Sequence, residues 1–339
     1  MTARARAKKA KLLKADAYQK MLLMSVSEIG RMLGESEYRR EITEYGGTME
    51  GASLIEFATY RNLAAGLKDV LRYCISDLRE MVASYLGKWD AYNVKAVLRG
   101  RYASMSVEET EAQLIPAGSF SLEFLRKLMR IERVEDILAT AIKAGLPLSW
   151  EAVESYMKTR RLSTLEDDID KGHYRKLLQT ASDEEAKTVF IAFVRREIDV
   201  RNLQTVLRLK TEGLQPQQKL PYLVPGGLDF GMISLRQLAD LPTVGDMVNS
   251  IRARRRYASA IQTDGKYGRG WADVRLVAIG LDKMHATESQ KLERLYPLSI
   301  LPVLDYMLRK ELEVKNIRIV ARGKESGLSA EEIRSVLVI

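Results

Sequence analysis

Three stretches decide how this chain is read. They are Asp90-Ala-Tyr-Asn93-Val-Lys-Ala-Val97-Leu98-Arg99, Asp199-Val-Arg-Asn202-Leu-Gln-Thr-Val206-Leu207-Arg208 and Glu313-Val-Lys-Asn316-Ile-Arg-Ile-Val320-Ala321-Arg322. Each runs acid, two residues, Asn, apolar, two residues, Val, small or Leu, Arg. The asparagines stand 109 and 114 residues apart, so one pattern occurs three times. Within each copy the apolar positions fall two before and one, four and five after the Asn. At 100° per residue they make one stripe, as an amphipathic helix requires. The Asn sits at the stripe's edge, where a half-buried amide must hydrogen-bond a neighbouring backbone to avoid a desolvation cost. The Arg projects from the far flank. Two roles are open to these residues. The acids, asparagines and arginines hold each unit together, the commoner use of such side chains. Alternatively, Arg99, Arg208 and Arg322 line a common surface and meet a partner through their forked donors.

A second block lies downstream. Leu125, Leu128, Ile131, Val134, Asp136 and Ile137 match Leu235, Leu238, Leu241, Val244, Asp246 and Met247 at a constant offset of 110. The third unit reaches Ile339 before such a block appears. The N-terminus supplies it, because Leu23, Val26, Glu28, Ile29 and Leu33 reproduce the spacing of Ile131, Val134, Asp136, Ile137 and Ala141. The expected architecture is all-α: three similar helical-bundle domains about an approximate threefold axis. Their limits are 51–150, 151–264, and 265–339 together with 1–50, so both termini belong to one domain. Turn signals at Ile115–Gly118, Leu146-Pro147, Leu223–Gly227 and Asp264–Gly270 separate the units.

Before the first motif, Phe57, Ala64, Leu71, Leu78 and Tyr85 recur every seven residues, with Tyr60, Leu67, Cys74 and Met81 three positions later. This seam predicts one long helix over 53–87, buried in a bundle rather than paired as a coiled coil. Cys74 lies on it and reads as a small core residue.

Composition sets the outer bounds. The chain has 339 residues, 46% of them hydrophobic and 29% charged, with only 8 Pro and 22 Gly. That suits a globular helical protein rather than many short strands. One Cys and two His exclude an intrachain disulfide and the usual structural zinc spacings. No run approaches the ~20 apolar residues that span a bilayer. Arg4, Arg6 and their basic neighbours have no apolar segment behind them, so the chain is expected to be intracellular and not membrane-spanning. The net charge is +9. Arg4, Arg6, Lys8 and Lys9 form one basic patch and Arg252, Arg254, Arg255 and Arg256 another, each suited to nucleic acid, a membrane surface or an acidic protein partner.

Catalytic, cofactor-binding and metal-binding patterns are all missing: no phosphate loop, no G-x-G-x-x-G, no nucleophile elbow and no H-E-x-x-H. The acidic run Glu166–Asp170 reads as a solvated loop or helix start, and His173 and His285 read as exposed surface residues. Ser106 before Glu108-Glu109, Ser182 before Glu184-Glu185 and Ser329 before Glu331-Glu332 read as helix N-termini.

The three repeats, the Asn-apolar-x-x-Val-Leu-Arg helices and the closing Leu312-Glu-Val-Lys-Asn-Ile-Arg-Ile-Val-Ala-Arg-Gly-Lys-Glu-Ser-Gly-Leu-Ser329 together resemble the C subunit of archaeal and bacterial A-type ATP synthases. This is the family of the V-type ATPase d subunit. The resemblance covers essentially the whole chain, including Tyr60-Arg-Asn-Leu63 and the basic N-terminal helix. It implies a funnel-shaped, non-catalytic rotor part that binds neither nucleotide nor ion. The implied place is peripheral, on the cytoplasmic face of the cell membrane. The implied partners are the proteolipid membrane ring and the central-stalk subunits, and contact with a stator subunit is a further one. The implied work is to couple ion transport through the ring to ATP synthesis or hydrolysis. No short motif of the family fixes the interface residues. A competing reading from charge alone is a basic helical-repeat RNA-binding adaptor. Low aromatic content and the lack of a base-stacking signature argue against it, so no nucleic acid is expected.

Overall fold

The computed structural model describes residues 1–180, 185–258, 261 and 273–339, and of 185–187 only the backbone. The Asp264–Gly270 turn and the Glu184-Glu185 pair fall outside the described side chains. Every regular element among the described residues is helical. In chain order the helices are α1 (Thr2–Ala10), α2 (Ala15–Met21), α3 (Val26–Gly34), α4 (Arg39–Tyr45), α5 (Gly51–Arg72), α6 (Ser76–Tyr102), α7 (Val107–Ala112), α8 (Leu122–Arg130), α9 (Val134–Lys143) and α10 (Trp150–Thr159). There follow α11 (Leu162–Gln179), α12 (Glu185–Thr211), α13 (Pro216–Lys219), α14 (Met232–Asp240), α15 (Val244–Arg252), α16 (Arg255–Ala258), α17 (Val274–Leu295), α18 (Leu301–Glu325) and α19 (Ala330–Ser335).

The three motifs occupy the C-terminal halves of the long helices α6, α12 and α18. Each motif helix packs against another long helix, α6 on α11, α12 on α17 and α18 on α5. The apolar side chains divide accordingly. A central cluster takes the N-terminal halves of the motif helices, with Val82 and Tyr85, Phe190 and Phe193, Val303 and Met307, together with Leu67 of α5 and Leu177 of α11. Beyond the middle the helices part, and each feeds its own peripheral cluster. Val94 and Val97 join α8, α9, α10 and the start of α11. Leu203 and Val206 join α14, α15 and the start of α17. Ile317 and Val320 join α2, α3, α19 and the start of α5. The first cluster runs on past residue 150 through Leu165 and Ile169.

Helix starts repeat as well. Thirteen residues beyond each motif Asn, a side chain opens a capping box: Ser106 with Glu109, Gln215 with Gln218 and Ser329 with Glu332. Each box satisfies helix N–H groups that lack an intrahelical partner.

The seam over 53–87 differs from expectation. It is two helices, with α5 ending at Arg72 and α6 beginning at Ser76. The heptad spacing persists because both helices turn the same stripe to the central cluster, where Tyr60, Leu67, Cys74, Met81 and Tyr85 all lie. An apolar period cannot distinguish one helix from two that share a core. Cys74 is buried there.

Candidate functional site

Each motif Asn clamps a chain segment 22 residues downstream with a two-way bond. Asn93 donates to the Ile115 carbonyl (2.8 Å) and accepts from its N–H (2.7 Å). Asn202 does the same with Val224 (2.7 and 2.8 Å), and Asn316 with Val338 (2.8 and 2.9 Å). The amide therefore replaces the backbone partner that each segment lacks.

The motif acids reach two residues ahead of the next helix. Asp90 accepts from the N–H and hydroxyl of Ser119 and from Phe120 N–H, just before α8. Asp199 accepts from the N–H groups of Leu228, Asp229 and Phe230, just before α14. Burial raises both carboxyls, Asp199 to about 6, although the donors oppose that shift. Gly118 and Gly227 permit the approach, since a Cβ on either would stand 2.2 Å from the carboxylate. Glu313 instead accepts from Leu13 N–H, just before α2, and also from the Tyr38 hydroxyl and Lys310.

Five residues before each Asn lies Lys88, Glu197 or Glu311, and these positions meet where the motif helices converge. Lys88 pairs with Glu311 at 2.8 Å and donates to the Tyr85 hydroxyl at 2.9 Å. The hydroxyls of Tyr85 and Tyr174 donate to the two oxygens of Glu197, at 2.7 and 2.9 Å. Burial alone would raise the Glu197 carboxyl, but Lys88, His285 and the two hydroxyls hold it below its ordinary range. Glu311 is pushed up by burial against the pull of Lys88.

His173 and His285 are not surface residues; each is only 5% exposed. They occupy matching places on α11 and α17, 112 residues apart. Burial lowers the pKa of both imidazoles, that of His173 to about 4. The Glu166–Asp170 run is likewise not a solvated loop or helix start. It sits inside α11, and three of its acids are spent: Glu166 on Arg99, Asp168 on Ser149 N–H, and Asp170 on Lys95 and Arg201. Charged sequence neighbours suggest exposure for both histidines, but on a helix those neighbours point elsewhere. The repeat offset is the signal that pairs them.

The motif arginines are exposed at their heads. Arg99 forks onto Glu166 (2.6 and 2.6 Å) and Arg322 onto Glu56 (2.9 and 2.6 Å), while Arg208 meets Glu212 on its own helix at 3.0 Å.

In the N-terminal basic patch Lys8 and Lys9 are turned inward, while Arg4 and Arg6 are exposed. Lys8 pairs with Asp69 at 2.6 Å, Lys9 with Glu293 and with fully buried Asp305 (2.9 Å), and Arg6 with Glu293 (3.2 Å). Arg4 lies over the Tyr73 ring, 3.9 Å from its centre. In the second patch Arg256 pairs with Asp229 at 2.5 Å and Arg254 stacks on Phe230 and binds the Asp229 carbonyl. Arg252 and Arg255 are exposed. Among the described residues no His, Cys, Asp and Glu cluster has metal-binding geometry, and no helix is long and apolar enough to cross a membrane.

At the end where the long helices converge, the loop between α5 and α6 exposes Tyr73 and Ile75, and the α17–α18 junction exposes Leu295, Tyr296 and Leu298. Sequence reasoning does not single these out, because isolated apolar residues in loops carry no period.

Comparison with known proteins identifies the family of the sequence. Three relatives each carry the name of the C subunit of an A-type ATP synthase. That of Halorubrum lacusprofundi is 36% identical across all of this chain and 97% of its own length. That of Archaeoglobus fulgidus is 34% identical across all of this chain and 95% of its own. That of Methanococcoides burtonii is 32% identical across all of this chain and 93% of its own. The family model described as ATP synthase (C/AC39) subunit matches residues 1–336, and the chain belongs to that family.

Proposed function

We propose that this chain is a non-catalytic central rotor subunit of an A-type ATP synthase, a socket between the membrane proteolipid ring and the central stalk. One observation carries the reading. Three helices built on one motif share a core at their N-terminal halves and part into three separate clusters at their C-terminal halves. Three repeated units about an approximate axis, the third closed by both chain ends, make a funnel of that geometry. The parted side receives the stalk. The converged end, with Tyr73, Ile75, Leu295, Tyr296 and Leu298 exposed, faces the ring. The subunit is then peripheral, on the cytoplasmic face of the membrane.

Torque coupling demands a body that does not yield, and close-packed helices deform little. The polar junction of Lys88, Glu197 and Glu311 adds directional ties where the helices converge. Asp229 engages Arg254 and Arg256, which takes up part of the Arg252–Arg256 cluster on which an RNA-binding reading rests.

The test is to purify the complex from gently solubilised host membranes through a tag on this chain and weigh it by native mass spectrometry. One copy with ring and stalk subunits is expected. Recovery of a coupled, fully assembled synthase lacking this chain would overturn the proposal.

A further inference from the structure

We propose that the cavity beneath α1 binds a small multivalent phosphate-bearing anion of the pyrophosphate type. This lies outside the coupling role, and departs from the expectation that no such ligand is held. The cavity, of about 370 Å³, is walled by α1, the residues around α4, α5 and α18. Its size is that of a ligand site rather than of a single water.

Its charges do not balance. Three cations on the wall are matched one to one: Lys8 by Asp69 (2.6 Å), Lys11 by Glu37 (3.0 Å) and Lys310 by Glu313 (2.8 Å). Arg40, Lys68 and Arg72 line the same space. Among the described residues the one carboxylate within ion-pair distance of Arg40 is that of Glu44, at 4.0 Å. Among the described residues neither Lys68 nor Arg72 has a carboxylate at ion-pair distance. The acids they sense are already committed, Asp90 to Ser119 and Phe120 and Asp69 to Lys8. Lys68 and Arg72 stand four apart on α5 and so share one face. The Tyr306 hydroxyl adds a donor. Gly66 leaves it bare to the cavity, since a Cβ there would come within 3.1 Å of that oxygen. A single carboxylate would leave this surplus partly unmet, whereas a diphosphate presents several charged acceptors to separate donors. Burial lowers the Lys68 pKa, a penalty that a bound anion would reverse.

Calorimetric titration of the full chain with sodium pyrophosphate, at low salt and with ionic strength matched by chloride, tests this. Saturable binding at one site is expected. The K68A/R72A double variant should weaken it about tenfold or more, since each lost contact is charge-assisted. K68R/R72K should retain it and so separates loss of charge from loss of fold. R130A/R294A removes the same charge from exposed positions elsewhere and should change affinity less than about twofold. Phosphatidate vesicles that displace pyrophosphate would assign the site to a lipid headgroup, and failure to displace it would assign the site to a free anion; either keeps the cavity. Absence of saturable heat with the unmodified chain would overturn the proposal. So would equal weakening by the two alanine pairs, which would mean diffuse attraction to a basic surface.

Discussion

The first two motif acids and the third solve the same problem differently. Asp90 and Asp199 are short, and each reaches backbone N–H groups about thirty residues downstream because a glycine stands beside the carboxylate. Glu313 has one more methylene and no glycine beside its target, and it reaches Leu13 at the opposite end of the chain. Around Glu313 the surroundings are also more charged, with Lys310 only 4% exposed and the Tyr38 hydroxyl between them. The first two joints are therefore made of neutral donors on a carboxylate, while the joint that closes the chain ends contains a buried ion pair. A repeated geometry can thus be kept while its chemistry changes, provided the donor to be satisfied stays two residues ahead of a helix.

The largest effect should come from E313A. It strands the Lys310 ammonium in the interior and should cost about 3–5 kcal/mol. Denaturant unfolding that shows E313A no more damaging than D90A would erase the distinction drawn above. E313D sharpens it: without a glycine partner the shorter acid should fail to hold Leu13, so the loss should persist although the charge is kept. Next come N93A, N202A and N316A. Each leaves a buried N–H and carbonyl without partners, and each should lose about 2–4 kcal/mol. Equal losses would show three equivalent clamps; a markedly smaller loss for N316A would show that the chain end is held mainly by Glu313.

The two buried histidines give a pH arm. The folded-state pKa of His173 is lowered from 6.5 to about 4, so the unfolded chain binds its proton first as acid is added. Its contribution is therefore intact above pH 6.5 and lost as pH falls towards 4, up to about 3 kcal/mol. Asp199, raised to about 6, works in the opposite sense over part of that range, so the measurement is the difference between the unmodified chain and H173Q. That difference should shrink from pH 7 to pH 4.5, and a flat difference would remove the histidine from the account. The smallest effects belong to the motif arginines. R99A and R322A each break an exposed fork and should cost about 0.2–1 kcal/mol. R208A, which loses only a pair within its own helix, should lie at the bottom of that range.

The helical class and the threefold recurrence are legible in the sequence because both rest on period, and period survives divergence. The same period places the N-terminal block beside the last motif: Ile29 and Leu33 share a cluster with Ile317 and Val320. The helix break at Tyr73–Ile75 is invisible, since both sides bury the same stripe. The polar junction goes unread for another reason. Lys88 is opposite in charge to Glu197 and Glu311, so a pattern sought in all three copies passes over the position, although its distance from the motif Asn is constant. The inward turn of Lys8 and Lys9 is hidden because their partners, Asp69, Glu293 and Asp305, are far off in sequence.

That junction has a consequence for how such a chain could arise. If a single unit were copied twice without change, three identical side chains would be forced together. Three lysines or three glutamates in that space would repel, and three neutral residues would forgo the ion pair. A triplicate that carried one charge at that position is thus unstable at its own centre, and a change of sign in one copy relieves it. The ion pair at the centre requires the copies to differ where they meet, while the clamps at the periphery, each answering to its own loop, are free to stay alike.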